Sequence, residues 1–110
     1  MTERITTRRG QLIMKLFRTA IGYLRSDVSG TRQAWDEIQI RSLAGRLGYT
    51  LAKTVTCNGG MDDPMARLIT TVRTTAADAV ITPDVTHLGG IVPAALDRAA
   101  AVITIAPEPT

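Results

Sequence analysis

The sequence predicts an α/β domain, with a four-stranded parallel sheet between two layers of helix. Two observations carry this expectation. Short apolar runs rich in Ile, Val, Ala and Thr alternate with segments whose apolar residues recur at helical spacing. The resulting β-α-β-α-β-α-β order calls for right-handed crossovers, a parallel sheet and cover on both faces. The expected strand order is 2-1-3-4.

The first strand is read over Ala20–Leu24 and runs into a polar turn, Ser26-Asp27-Val28-Ser29-Gly30. Gly30 or Thr31 then caps a helix from about Arg32 to Leu47, in which the apolar residues Trp35, Ile38, Leu43, Ala44 and Leu47 follow helical and not alternating spacing. Gly48 supplies the left-handed residue that ends it. Thr50–Cys57 alternates, is rich in Thr and Val, and forms the second strand, broken by Asn58-Gly59-Gly60.

Asp62 or Asp63 caps the next helix, with Pro64 in its first turn, where a missing N–H costs least. That helix extends to about Thr75 and turns Met65, Leu68, Ile69 and Val72 inward. Ala79–Thr82 is the third strand. Pro83-Asp84 leads into a loop holding Thr86 and His87, with His87 read as a surface loop residue. A helix over Ile91–Ala100 and a fourth strand over Ala101–Ile105 complete the domain, and Pro107 and Pro109 stop the order.

The expected organisation is a basic flexible arm over residues 1–19, the domain over 20–106 and a tail over 107–110. The 110 residues suit one domain with a modest core. Phe17, Tyr23, Trp35 and Tyr49 are the aromatics, so the core draws on Ala, Val, Ile and Leu, and Trp35 reads as core.

Net charge is +3, and its placement is uneven. Arg4, Arg8, Arg9, Lys15 and Arg18 face Glu3 alone in the arm, while residues 20–110 sum to −1. Attraction to nucleic acid would therefore come from the arm, the body lacking a basic stripe. No apolar run reaches membrane-spanning length, and no secretory signal is expected. The single cysteine, Cys57, reads as a small apolar strand-end residue and fits a reducing cytoplasm. One His and one Cys do not make a zinc centre, so no metal is expected.

In open parallel sheets, ligands gather at the carboxyl ends of the strands. Arg25, Ser26, Asp27 and Ser29 follow strand one, Asn58 to Asp63 follow strand two, and Asp84, Thr86 and His87 follow strand three. Ser26 or Ser29 could act as a nucleophile, with His87 as base and Asp27 or Asp84 orienting it. There is no Gly-x-Ser-x-Gly elbow, and serines beside a helix start commonly cap backbone N–H groups. Gly59-Gly60 ahead of a helix could cradle an anion, but Asp62 and Asp63 would repel one there. Neither phosphate-loop nor dinucleotide motif occurs, so no cofactor is expected. A receiver-like acidic pocket would use Asp27 and Asp84, but it lacks a paired acid and a Lys beyond Lys53.

From Ile21 to about Ile105 the chain resembles the catalytic domain of the serine recombinases, the resolvases and invertases. The resemblance rests on Ile21-Gly22-Tyr23-Leu24-Arg25, on Gln33, Gln39, Leu43 and Gly48-Tyr49, and on Asn58-Gly59-Gly60 with Asp63-Pro64 and Leu68. Ala77-Asp78-Ala79-Val80-Ile81-Thr82 and Leu88-Gly89 complete it. It implies a resolvase-like fold, and a site in which a serine attacks a DNA phosphodiester while arginines neutralise the phosphoryl group.

Carried over position by position, Arg25 matches the first arginine and Asp27 falls on the nucleophile. Asp63 falls on a second arginine, Thr86 and His87 on an Asp-Arg pair, and Gly90 on the last arginine. Loss of one charged transition-state donor typically costs about 10²–10³ in rate. The resemblance therefore implies a pseudoenzyme: a non-catalytic domain with a binding, regulatory or self-association role, whose partner is a protein or a second copy. The family's later dimerising helix and DNA-binding module have no counterpart after Ile105, so no reader of DNA sequence is expected. The alternatives are residual DNA strand transfer or hydrolysis through Ser26 or Ser29, and nonspecific nucleic-acid binding through the arm.

Overall fold

A computed structural model describes residues 18–60 and 62–105. Four parallel strands form one sheet: β1 (Thr19–Arg25), β2 (Thr50–Cys57), β3 (Ala79–Thr82) and β4 (Ala101–Thr104), in the spatial order β2-β1-β3-β4. The helices are α1 (Ser26–Ser29), α2 (Gln33–Arg46), α3 (Pro64–Thr75) and α4 (Ala94–Ala99). Short 3₁₀ turns occupy Gly30–Arg32 and Val85–Leu88. The architecture and strand order are those the sequence predicts.

Alternation along β1 divides the core. Ile21 and Tyr23 join Val55, Val80, Leu68, Val72 and Leu96 on the face covered by α3 and α4. Ala20 and Leu24 join Ile40, Ala44, Ala79 and Ile81 beneath α2. Gly22 lies on this second face because α2 comes too close for a side chain. A Cβ there would stand 2.7 Å from Thr54 Oγ1 and 2.8 Å from Ile40 Cγ2. The β1–β2 register slips between Ala20 and Ile21, so that Ala52 is passed over.

The structure places Trp35 outside the core, against expectation. Asp36, Ile40 and Ala44 are buried, whereas Trp35 is 55% and Ile38 54% exposed, and Leu47 is also exposed. Apolar residues lie on several sides of this helix, so spacing alone admits two inward phases. The fit of Ile40 over Gly22 and the buried Ser29–Asp36 hydrogen bond accompany the phase adopted. Trp35 is therefore not core.

Two helix starts also move. The polar turn after β1 is itself helical, and α2 begins at Gln33 without a side-chain cap from Gly30, Thr31 or Arg32. The last helix begins at Ala94 and not Ile91. Proline disfavours helical geometry in the residue before it, which holds Val92 out of the helix. Pro93 is extended, and its carbonyl accepts from the Leu96 and Asp97 N–H groups. Helix α3 follows expectation: Asp63 accepts from Ala66 N at 3.1 Å, Pro64 opens the first turn, and Leu68 and Val72 are buried.

Arg18, counted with the arm in the sequence reading, is engaged with the domain. Its guanidinium lies 4.4 Å from the Tyr49 ring centroid and donates to Tyr49 Oη, and its carbonyl accepts from Thr50 N. Arg4, Arg8, Arg9 and Lys15 lie outside the described residues, as does the tail over 107–110. Among the described residues no helix is long and apolar enough to cross a membrane.

Candidate functional site

Strand β1 ends at Arg25 and the chain turns at once into α1, so Arg25 and Asp27 project from the carboxyl edge of the sheet. Their side chains close on each other. Arg25 Nη2 lies 2.6 Å from Asp27 Oδ2, and Arg25 Nε donates to Asp27 Oδ1 at 3.2 Å, a two-point pair. The guanidinium holds the Asp27 carboxyl below its ordinary range, and the carboxylate raises the Arg25 pKa in return.

The loop after β2 fits against this pair. Asn58 Oδ1 accepts from Gly60 N at 2.9 Å, closing a tight turn. A Cβ on Gly59 would stand 2.7 Å from Asp27 Oδ2 and 3.4 Å from Arg25 Nη2. Glycine at this position is what lets the loop approach the ion pair.

His87 joins the site from the far side of β1. Its sequence position predicts a surface loop residue, yet it is only 3% exposed, because the 3₁₀ turn Val85–Leu88 folds it back beneath the end of β1. Asp84 starts that turn, its Oδ1 accepting from Thr86 N at 2.8 Å. The Arg25 backbone N–H donates to His87 Nδ1 at 2.9 Å. This bond requires an unprotonated Nδ1, so the neutral ring carries its proton on Nε2. Burial pushes the His87 pKa below its usual value, against a smaller upward pull from Asp84 and Asp36.

His87 forms a wall shared by two cavities. One, of about 110 Å³, also holds Tyr23, Arg25, Asp63 and Met65. Burial, followed by the neighbouring Cys57 thiol, pushes the Tyr23 phenol up to about 12, so it stays protonated at neutral pH. The other cavity, of about 260 Å³, lies between the loops after β1 and β3, lined by Ser29, Arg32, Trp35, Asp36 and Asp84. These strands are sheet neighbours whose connections leave to opposite faces, the position where open α/β sheets form a crevice.

The candidate nucleophiles are both engaged. Ser26 Oγ donates to the Cys57 carbonyl at 3.3 Å, and Ser29 Oγ donates to Asp36 Oδ2 at 2.7 Å within the protein interior. Neither hydroxyl donates to His87, which as a general base would have to accept its proton. The structure thus gathers Arg25, Ser26, Asp27 and His87 around the end of β1. Ser29 stands in the adjoining crevice with Asp36, a partner the sequence reading missed. Its signal was a carboxylate at the same helical phase as Ile40 and Ala44.

No family model, curated protein or solved structure matches this chain. The chemistry of the site rests on its own geometry. Among the described residues there is no group of three or more His, Cys, Asp or Glu placed to hold a metal ion. The Arg25 guanidinium is committed to a neighbouring carboxylate, and the acids Asp27 and Asp63 stand close to it. An incoming phosphate would have to displace Asp27 from Arg25 and approach two negative groups.

Proposed function

We propose that this chain is a non-catalytic, resolvase-like module that acts by binding, with a protein or a second copy of itself as partner. The observation that carries the reading is the two-point Arg25–Asp27 pair. In a phosphoryl-transfer site an arginine in this position must be available to the reacting phosphate, and a nucleophile must stand beside it. Here the residue at the nucleophile position is a carboxylate, and it occupies the arginine. The hydrogen bonds of Ser26 and Ser29 to other acceptors support the same reading.

A binding role draws support from α2. Trp35 and Ile38 are more than half exposed and stand one helical turn apart, an apolar pair on the solvent side of the helix. Tryptophan is enriched where protein surfaces meet.

The test of the catalytic alternative is nicking of supercoiled plasmid by the full chain, with Ser26→Ala and Ser29→Ala controls. The expected result is no serine-dependent nick and no covalent protein–DNA adduct. Either product, lost in one serine variant, would overturn the non-catalytic reading. Sedimentation of the same chain tests its association.

A further inference from the structure

A cavity of about 360 Å³ lies between α3 and α4, toward the amino ends of β3 and β4 and away from the Arg25–Asp27 pair. Its apolar lining is made of small side chains, Val72, Ala76, Ala77, Ala95 and Ala99, of which Val72 and Ala77 are buried. Arg73 and Arg98 are its charged lining residues, and no acidic side chain lines it. Neither arginine is paired with an acidic side chain of the described residues. Both sit in the last turn of their helices, where the helix dipole favours a cation, so the pair can persist there without a counter-ion.

We infer that this cavity binds a small organic carboxylate with a short aliphatic stem. The two guanidinium groups supply directional donors for the carboxylate. The small apolar side chains that share the lining favour a hydrocarbon stem over water. The volume lies near the lower end of the roughly 300–1,000 Å³ typical of small-molecule pockets. Inorganic phosphate would satisfy the arginines and leave the apolar lining hydrated, and an alkylammonium would meet like charge. The site is independent of the non-catalytic reading, since it shares no residue with the carboxyl edge of the sheet.

The experiment is an amide-shift NMR titration of the full chain with hexanoate, alongside acetate, inorganic phosphate and hexylammonium at matched ionic strength. Hexanoate is expected to move the amides of Arg73, Ala77, Ala95, Arg98 and Ala99 in a saturable way at millimolar concentration. The other three probes should bind at least about tenfold more weakly. Arg73→Gln and Arg98→Gln alter exposed side chains and should each weaken hexanoate by about tenfold with the fold retained. Ala95→Leu enlarges a lining side chain, keeps both charges and should also abolish saturable binding. Absent or scattered shifts, equal binding of phosphate or hexylammonium, or hexanoate affinity unchanged in both arginine variants would overturn the assignment. A peptide with a leucine carboxyl terminus binding in place of hexanoate would overturn it too, by showing that the occupant is a protein chain end.

Discussion

The backbone N–H of Arg25 donates to the imidazole Nδ1 of His87, tying the last residue of β1 to a side chain that follows β3. One bond therefore couples the placement of the Arg25–Asp27 pair to the protonation state of a buried histidine.

Acid should weaken the fold through this bond. The folded pKa of His87 is lowered while the unfolded value stays near 6.5, so between those values the unfolded chain binds more protons. The His87 contribution is then constant above about pH 6.5 and falls as pH drops below it. Urea unfolding from pH 8 to 5 should show this slope. His87→Asn places an amide oxygen near the Nδ1 position and cannot titrate, so its slope should flatten in that window. His87→Ala leaves the Arg25 N–H without its acceptor and opens a void, at a cost of about 2–3 kcal/mol. A wild-type slope retained in His87→Asn would assign the acid sensitivity to another group. The Asp27 carboxyl acts in a separate, lower window: its pKa is depressed, so its share of stability is present above the ordinary aspartate value and is lost as pH falls through the folded one.

Two glycines should respond to alanine in opposite directions. At Gly22 the added methyl would meet Thr54 Oγ1 at 2.7 Å and Ile40 Cγ2 at 2.8 Å, forcing α2 and β2 to shift. Gly22→Ala is expected to destabilise by about 1–3 kcal/mol. At Gly45, inside α2, nothing lies within 4 Å of the added carbon, and Gly45→Ala should stabilise by about 0.4–1 kcal/mol. Thermal and chemical denaturation of the two variants reads both signs. A neutral Gly22→Ala would show that α2 does not press on β1 as described.

Helix α2 should separate stability from association. Ile40 is fully buried, and Ile40→Ala is expected to cost about 2–5 kcal/mol. Trp35→Ser with Ile38→Ser changes exposed side chains and should alter stability by no more than about 0.5 kcal/mol each. If the exposed pair forms the contact between copies, sedimentation of the wild type will show concentration-dependent mass, and the double variant will sediment as a monomer. A wild type that stays monomeric at high concentration would leave a protein of different sequence as the partner. Self-association unchanged in the double variant would move the contact to another surface.

The sequence by itself determined the order of elements, the strand order and the inward face of α3. Those follow from local properties: β-branched runs, the Asp63-Pro64 helix start, and the rule that parallel neighbours need right-handed crossovers. It also placed Arg25, Ser26 and Asp27 together at the end of the first strand, because they are neighbours in the chain. Tertiary structure alone decided the rest. Whether Trp35 or Ile40 faces the sheet depends on how α2 meets β1, and in the fold it is Ile40 that packs over Gly22. Whether His87 meets water or the Arg25 backbone depends on how the loop after β3 folds back across a neighbouring strand. These are contacts between segments far apart in the chain, and spacing along a chain carries information only about neighbours on the same element.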